Sequence, residues 1–166
     1  MKTTFVPVLA LLLMAGTAAA HDGHFPIPDP TADARKAAEA AVASFRDIEN
    51  IELDYSPESL RLMEKVILSI RAEGTRSESM PSALYAFGAY VGEVIVRNNE
   101  GARWTYPPQP MIDAGMSPHS IGVTDQNGIF WNPIGKVYGL LDNGSEDSIV
   151  YFYQVVEEYR RENERQ

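Results

Sequence analysis

Residues 81–98 constrain the fold more than any other segment, because they form a predicted helix that is apolar on nearly every side. Pro81 opens the helix in its first turn, where proline is tolerated, and the pattern continues to about Asn98. Its apolar positions are Leu84, Tyr85, Phe87, Ala89, Val91, Gly92, Val94, Ile95 and Val96. Such a helix must be covered on several sides, so we expect it at the centre of the fold.

Two glycines, Gly88 and Gly92, lie about one turn apart in this helix. Each costs about 1 kcal/mol in helix propensity relative to alanine, so a close approach by another element is the expected reason for them. Only a narrow strip of the helix lies outside the apolar surface, and it comprises Ala86, Tyr90, Glu93 and Arg97.

Three further helices are predicted from apolar stripes and from start and stop signals. The first covers residues 31–48, with Thr31 as N-cap. The second covers residues 56–74, with Ser56 as N-cap, Pro57 in the first turn and Gly74 as the stop. The third is a C-terminal helix that begins at Ser145. Residues 132–141 fit either a short helical turn or a strand.

The strand signals are short. Residues 102–106 alternate as a strand does, and residues 107–120 follow as a Pro-rich loop. Residues 121–124 and 129–131 flank Asn127-Gly128, a pair that is typical of tight hairpin turns. The sum is a single α+β domain over residues 31–166, with about four helices packed on a small antiparallel sheet.

The N-terminus has the form of a cleaved secretory signal. Lys2 precedes the apolar run 5–14, and Ala18 and Ala20 occupy the small positions that signal peptidase recognises. The apolar run is too short to span a bilayer, which requires roughly twenty residues. We therefore expect residues 1–20 to be removed, residues 21–30 to form an extended Pro-rich arm, and the mature bacterial protein to be periplasmic or secreted.

Composition disfavours several functions. With 23 acidic against 14 basic residues the precursor carries a net charge of −9, and loss of Lys2 makes the mature chain more acidic. Such a chain is repelled by nucleic acids and by anionic membranes, so neither is an expected partner after cleavage. The absence of cysteine excludes disulfides, thiol nucleophiles and cysteine-type zinc sites. No phosphate-binding loop, H-E-x-x-H site or calcium loop is present, so no cofactor is expected.

A series of short motifs resembles one known family. Residues 53–60 (LDYSPESL) are followed by residues 88–95 (GAYVGEVI), Arg97 and Trp104, and then by Pro133, Lys136-Val137, Asn143-Gly144 and Glu146-Asp147-Ser148. Over about residues 53–156 the chain is similar to a family of small uncharacterised bacterial domains in which a GAYxGE helix precedes a Gly-x-x-Trp strand. The resemblance implies a compact α+β domain and transfers no catalytic residue.

The candidate site lies on the strip of the central helix. Glu93 and Arg97 are spaced i, i+4 with the acid first, the favourable orientation for a helical ion pair, and Tyr90 lies beside them. Arg103 and Trp104 follow after the turn. Arg97 and Arg103 could together hold a carboxylate or similar anion. The alternative is a structural ion pair with Trp104 packed against it, which the same spacing also produces.

Histidines suggest a second kind of site. If cleavage follows Ala20, His21 offers an imidazole and a free α-amine, a chelating pair that suits Cu(II) or Ni(II), and His24 adds a third nitrogen. Against this, two histidines in such an arm specify a metal weakly. His119 lies in the predicted loop, and no nucleophile motif accompanies it.

Three functions remain open. The favoured one is an exported, non-catalytic domain that binds a protein or small-molecule ligand, with a candidate contact region formed by Tyr90, Glu93, Arg97, Arg103 and Trp104. The second is a small periplasmic enzyme in which Glu93 acts as acid or base beside Arg97, which requires a concave pocket and a second functional group nearby. The third is copper binding by His21 and His24.

Overall fold

Six α-helices and three short strands are present in residues 30–165, the part of the chain that this computed structural model describes. The helices are α1 (Pro30–Ser44), α2 (Ser59–Ala72), α3 (Pro81–Asn98), α4 (Gln109–Asp113), α5 (Pro133–Asn143) and α6 (Ile149–Asn163). The strands are β1 (Arg103–Thr105), β2 (Gly122–Thr124) and β3 (Phe130–Trp131). A π-helical turn, Phe45–Glu49, extends α1, and 3₁₀ turns at Ser77–Ser79 and Ser145–Asp147 precede α3 and α6. The predicted α+β class is confirmed.

Helix α3 lies at the centre of the fold, as its apolar pattern predicts, and α1, α5, α6, β1 and β2 all pack against it. The strip that the sequence leaves outside its apolar surface is nevertheless covered: Ala86, Tyr90 and Glu93 are buried, and only Arg97 reaches the surface. The reason is α1, whose alanines let it lie close along α3. Those on its buried face are Ala34, Ala38 and Ala41.

The two glycines of α3 provide the close approaches that the sequence predicts. A Cβ at Gly88 would lie 2.5 Å from the backbone Cα of Ile134 in α5. A Cβ at Gly92 would collide with the ring of Trp104 in β1. Helix α5 and strand β1 can therefore contact the backbone of α3 directly.

The sheet is antiparallel in the order β1-β2-β3. Trp104 lies opposite Val123, which in turn lies opposite Trp131. Because side chains alternate along a strand, buried Trp104 points into the core while Arg103 is exposed on the other face of β1.

The predicted hairpin between β2 and β3 is confirmed. Gly128 has a positive φ of 82°, which its turn position requires. The carboxylate of Asp125 fixes the turn, because its Oδ1 accepts the backbone N–H groups of Asn127 and Ile129 at 2.8 and 3.0 Å.

The starts of α1, α2 and α6 differ from the predictions. Helix α1 begins at Pro30, so the predicted Thr31 cap is wrong; proline's fixed φ suits the first helical position. Pro30 therefore belongs to α1, while the rest of the predicted arm and the predicted leader lie outside the described residues. Helix α2 begins at Ser59, yet Ser56 still caps this end, because its Oγ accepts the Ser59 N–H at 3.3 Å.

The second half of the chain contains more helix than the sequence predicts. The predicted loop 107–120 includes the short helix α4, and the ambiguous segment 132–141 forms most of α5. Asn132 caps α5 by accepting the Gly135 N–H at 2.9 Å. Helix α6 starts at Ile149 with Ser148 as its N-cap, because the residues after Gly144 first form a 3₁₀ turn. No helix within residues 30–165 combines the length and apolarity needed to cross a membrane.

Candidate functional site

Glu93 is a buried carboxylate where α3, α1 and β1 meet. Its side chain is only 1% exposed. Its Oε1 accepts the indole Nε1–H of Trp104 at 2.9 Å, and its Oε2 accepts the Nε–H of Arg97 at 3.0 Å. The Nε of Arg35 lies 3.8 Å from Oε1. Burial of a carboxylate is costly unless it is paired and hydrogen-bonded, and these three groups meet that requirement.

Each partner of Glu93 comes from a different element. Arg97 follows it by one turn of α3, which fixes their distance through helix geometry alone. Trp104 reaches it because Gly92 leaves space for the indole ring. Arg35 is on α1, immediately after Ala34, which is fully buried against the core. The site therefore depends on the packing of three elements.

Arg97 is held on two sides. Besides its bond to Glu93, its Cζ lies 3.4 Å from the ring centroid of Tyr55, an arrangement in which the cation faces the negative side of the ring. The Tyr55 ring stacks in turn on Tyr90, with centroids 4.9 Å apart and an interplanar angle of 28°. The Arg97 side chain nevertheless remains 43% exposed.

Tyr55 has an uncommon backbone conformation. Its φ is +62°, a left-handed value that costs a residue with a large side chain about 1–3 kcal/mol. Two hydrogen bonds hold this conformation: the Tyr55 N–H donates to Tyr90 Oη at 2.9 Å, and the Tyr55 carbonyl accepts from Asn98 Nδ2 at 2.9 Å. Both partners are on α3, so the central helix positions the ring that supports Arg97.

The hydroxyl of Tyr90 is a donor as well as an acceptor. Ser59 Oγ lies 2.6 Å from it and gives its own single hydrogen to the Ser56 carbonyl, also at 2.6 Å. Tyr90 must therefore donate to Ser59 Oγ while it accepts the Tyr55 N–H. Burial raises the pKa of Tyr90, although the Ser59 hydrogen bond opposes the rise, so the hydroxyl keeps this proton at neutral pH.

Charges around Tyr55 are mixed. Burial raises the pKa of Tyr55, the nearby Arg97 opposes this rise, and the carboxylates of Glu39 and Glu93 add to it. Glu39 is exposed on α1, one turn after Arg35. We call Arg35, Tyr55 and Arg97 the arginine surface; its two cations lie beside two carboxylates, one buried and one exposed.

The structure brings together four of the five residues that the sequence predicts for the ligand site. Tyr90, Glu93, Arg97 and Trp104 form one connected cluster. Arg103 is exposed on the face of β1 opposite Trp104, so it is not brought to Glu93. Arg35 supplies the second cation instead.

Sequence reasoning missed Arg35 and Tyr55. Tyr55 belongs to the LDYSPESL motif, which was the available signal for it. Arg35 had none, because only the packing of α1 against α3 brings it near Glu93.

The predicted metal site stays a prediction. His21 and His24 lie outside the described residues. His119 is exposed, and its backbone N–H donates to Ser117 Oγ at 3.3 Å. Within residues 30–165, no group of three or more His, Cys, Asp or Glu side chains is arranged to hold a metal ion.

Open grooves lie between α2 and α6. Two of them have volumes of about 240 and 440 Å³, and both are lined by Arg61, Val150 and Gln154. Their charged side chains are of both signs. None of the residues that line these two grooves belongs to the cluster around Glu93.

Comparison with known proteins adds no assignment: no family model matches the chain, and no similar protein was found among curated proteins or solved structures. The resemblance to the family with a GAYxGE helix therefore stays a prediction.

Proposed function

We propose that the chain is an exported, non-catalytic binding domain whose contact surface centres on Arg97. The observation that supports this is the way Arg97 is held, between the buried carboxylate of Glu93 and the ring of Tyr55, with 43% of its side chain exposed. A side chain that is already ordered loses less conformational entropy when a partner binds. Arginine held in this way is well suited to recognition.

The alternative of an enzyme that uses Glu93 receives no support from the geometry. A general acid or base must come within hydrogen-bonding distance of its substrate. Glu93 is 1% exposed, and both of its oxygens already accept hydrogen bonds from side chains of the fold. The copper-binding alternative concerns His21 and His24 and stays a prediction of the sequence.

Site-directed photo-crosslinking tests the proposal. The full chain, with its own leader, would carry a photoreactive amino acid at position 39, which is exposed and close to Tyr55. Irradiation of producing cells followed by mass analysis detects both protein and small-molecule adducts. We expect an adduct that falls about tenfold in Arg97→Ala and that Arg103→Ala retains, since both arginines reach the surface but only Arg97 belongs to the arginine surface.

An adduct that persists unchanged in Arg97→Ala would contradict the proposal, as would the absence of any specific adduct. The unfolding midpoints of both variants are compared with that of the wild type first, so that loss of the fold is distinguished from loss of binding.

A further inference from the structure

We infer that the arginine surface recognises a carboxylate group presented by its ligand. The inference rests on the proposed function, because it names the chemistry that the same surface would bind. Two observations carry it: the way Arg97 is held and the charges around it.

The orientation of Arg97 leaves part of its hydrogen-bonding capacity for a ligand. A guanidinium has five N–H donors in one planar fork. Glu93 accepts the Nε–H, and Tyr55 covers one face of the fork and also hydrogen-bonds to Arg97 through its side chain, so the remaining terminal N–H groups are the ones open to a ligand. A planar carboxylate that approaches in the plane of the guanidinium can accept from the terminal nitrogens without displacing either partner. Arg35, whose side chain is 58% exposed, is the second cation of the surface.

The surrounding charges favour a ligand group with one negative charge. The two arginines lie beside Glu93 and near Glu39, so their charge is largely balanced before any ligand arrives. The rest of the chain is acidic, with a net charge of −9 for the precursor. The shape of the guanidinium fork therefore contributes more to ligand selection than long-range attraction between the protein and an anion does. The acidic protein repels a doubly charged phosphate more strongly than a singly charged carboxylate.

The structure also contains a reporter for this surface. The indole N–H of Trp104 donates to the same carboxylate that holds Arg97, so a ligand on Arg97 alters the environment of that proton. The other tryptophan, Trp131, donates its indole N–H to Asp125 at 3.1 Å and serves as an internal reference. The chain has only these two tryptophans.

Nuclear magnetic resonance titration tests the inference. The two indole N–H signals of ¹⁵N-labelled protein, purified after export, are followed while sodium acetate replaces sodium chloride at constant ionic strength. We expect a saturable shift of the Trp104 signal with a Kd on the order of 10 mM, as for a small anion held by few contacts, and no shift of the Trp131 signal. Arg97→Lys keeps the charge but loses the fork, so affinity should fall about tenfold. Arg103→Ala should bind as the wild type does.

Three results would overturn the inference: no saturable Trp104 shift, equal affinity in Arg97→Lys, or tighter binding of inorganic phosphate than of acetate. The two experiments distinguish failure of the carboxylate assignment from failure of the proposed contact surface. If the crosslinked adduct depends on Arg97 but acetate does not bind, the carboxylate assignment is wrong and the contact surface stands. If acetate binds at Arg97 but the adduct does not depend on it, the contact surface is wrongly placed.

Discussion

Glu93 connects three elements of the fold through its two oxygens, so its loss would affect the packing of all three. Its bonds to Arg97 and Trp104 are short, whereas Arg35 lies farther away and is mostly exposed. Exposed partners of an ion pair are screened by solvent and contribute little by themselves. The hydrogen bond to the buried Trp104 indole is therefore the larger contribution.

Replacement of Glu93 by glutamine tests this account. The glutamine amide has one acceptor oxygen where the carboxylate has two. That oxygen can accept the Trp104 indole N–H or the Arg97 Nε–H, and the other donor then faces the amide NH₂ group. We expect Glu93→Gln to lower the free energy of unfolding by about 1–3 kcal/mol, measured by urea denaturation. Glu100→Gln, at an exposed position, is the matched control and should stay close to the wild type. Equal stability of the two variants would contradict the account.

At the level of residues, the contacts that can be predicted from the sequence are those that helical spacing alone determines. The Glu93–Arg97 pair follows from helical spacing, and the structure confirms it. The burial of Tyr90 and Glu93 could not be predicted, because it depends on α1 lying along α3. The left-handed backbone at Tyr55 has no sequence signal either, since tyrosine rarely adopts it.

Among the elements, α3 and α5 pack with their backbones close together, and Gly88 makes this contact possible. Alanine at this position would favour the helix by up to about 1 kcal/mol but would place its Cβ 2.5 Å from the Ile134 Cα. Because backbone atoms cannot move aside easily, we expect Gly88→Ala to destabilise the protein by about 1–3 kcal/mol in thermal or urea unfolding.

A second helical glycine provides the control for Gly88→Ala. A Cβ at Gly139 in α5 would meet a side chain rather than backbone, at 2.7 Å from the Oδ2 of Asp147. Because that carboxylate is itself hydrogen-bonded to Lys136 and Asn143, both glycine substitutions are compared in an Asp147→Ala background, which removes it. Gly139→Ala should therefore cost clearly less. If both substitutions had the same effect, the close packing of α3 on α5 would not explain Gly88.

The link between α5 and α6 makes stability depend on pH. Hydrogen bonds from Lys136 and Asn143 hold the pKa of Asp147 below its ordinary value of 3.8. A carboxylate with a lowered pKa in the folded state contributes stability above its unfolded pKa, and this contribution is lost as the pH falls through the folded pKa. Stability should therefore fall as the pH drops below about 3.8.

Asp147→Asn removes that contribution. We expect the variant to be less stable than the wild type at neutral pH and to lose less stability on acidification, as measured by urea midpoints at several pH values. Glu146→Gln changes the neighbouring, exposed carboxylate and should leave stability at neutral pH near that of the wild type. A wild-type pH dependence in Asp147→Asn would show that another group is responsible.

The boundaries of a helix could be predicted where its start signal and its apolar periodicity both lie within its own residues. Helix α3 spans Pro81–Asn98, as predicted, because its start signal and its periodicity lie in its own residues. The segment that becomes α5 was ambiguous, since packing against α3 selects the helix. Helix α4 was missed because five residues carry too little periodicity to distinguish a turn from a loop.

For the whole molecule, the predicted export and cleavage would decide where the mature chain begins. We expect the mature protein to begin at His21, because Ala18 and Ala20 occupy the signal peptidase positions. Intact-mass analysis of the exported protein tests this directly. A mature chain that begins elsewhere removes the pairing of the α-amine with the His21 imidazole and contradicts the copper hypothesis.

If His21 is the first residue, calorimetric titration with Cu(II) completes the test. Wild-type protein should bind the ion more tightly than His21→Ala, since the variant keeps the amine and loses the imidazole. Equal binding by both would show that the N-terminal pair is not a metal site.

The central claim for the whole molecule is that its partner contacts the surface around Arg97. The amount of crosslinked adduct formed from position 39 in Arg97→Ala, relative to Arg103→Ala, tests it most directly. We predict a decrease of about tenfold, the consequence of losing roughly 1.4 kcal/mol of binding free energy. Equal adduct from the two variants, with both folded, would contradict the claim.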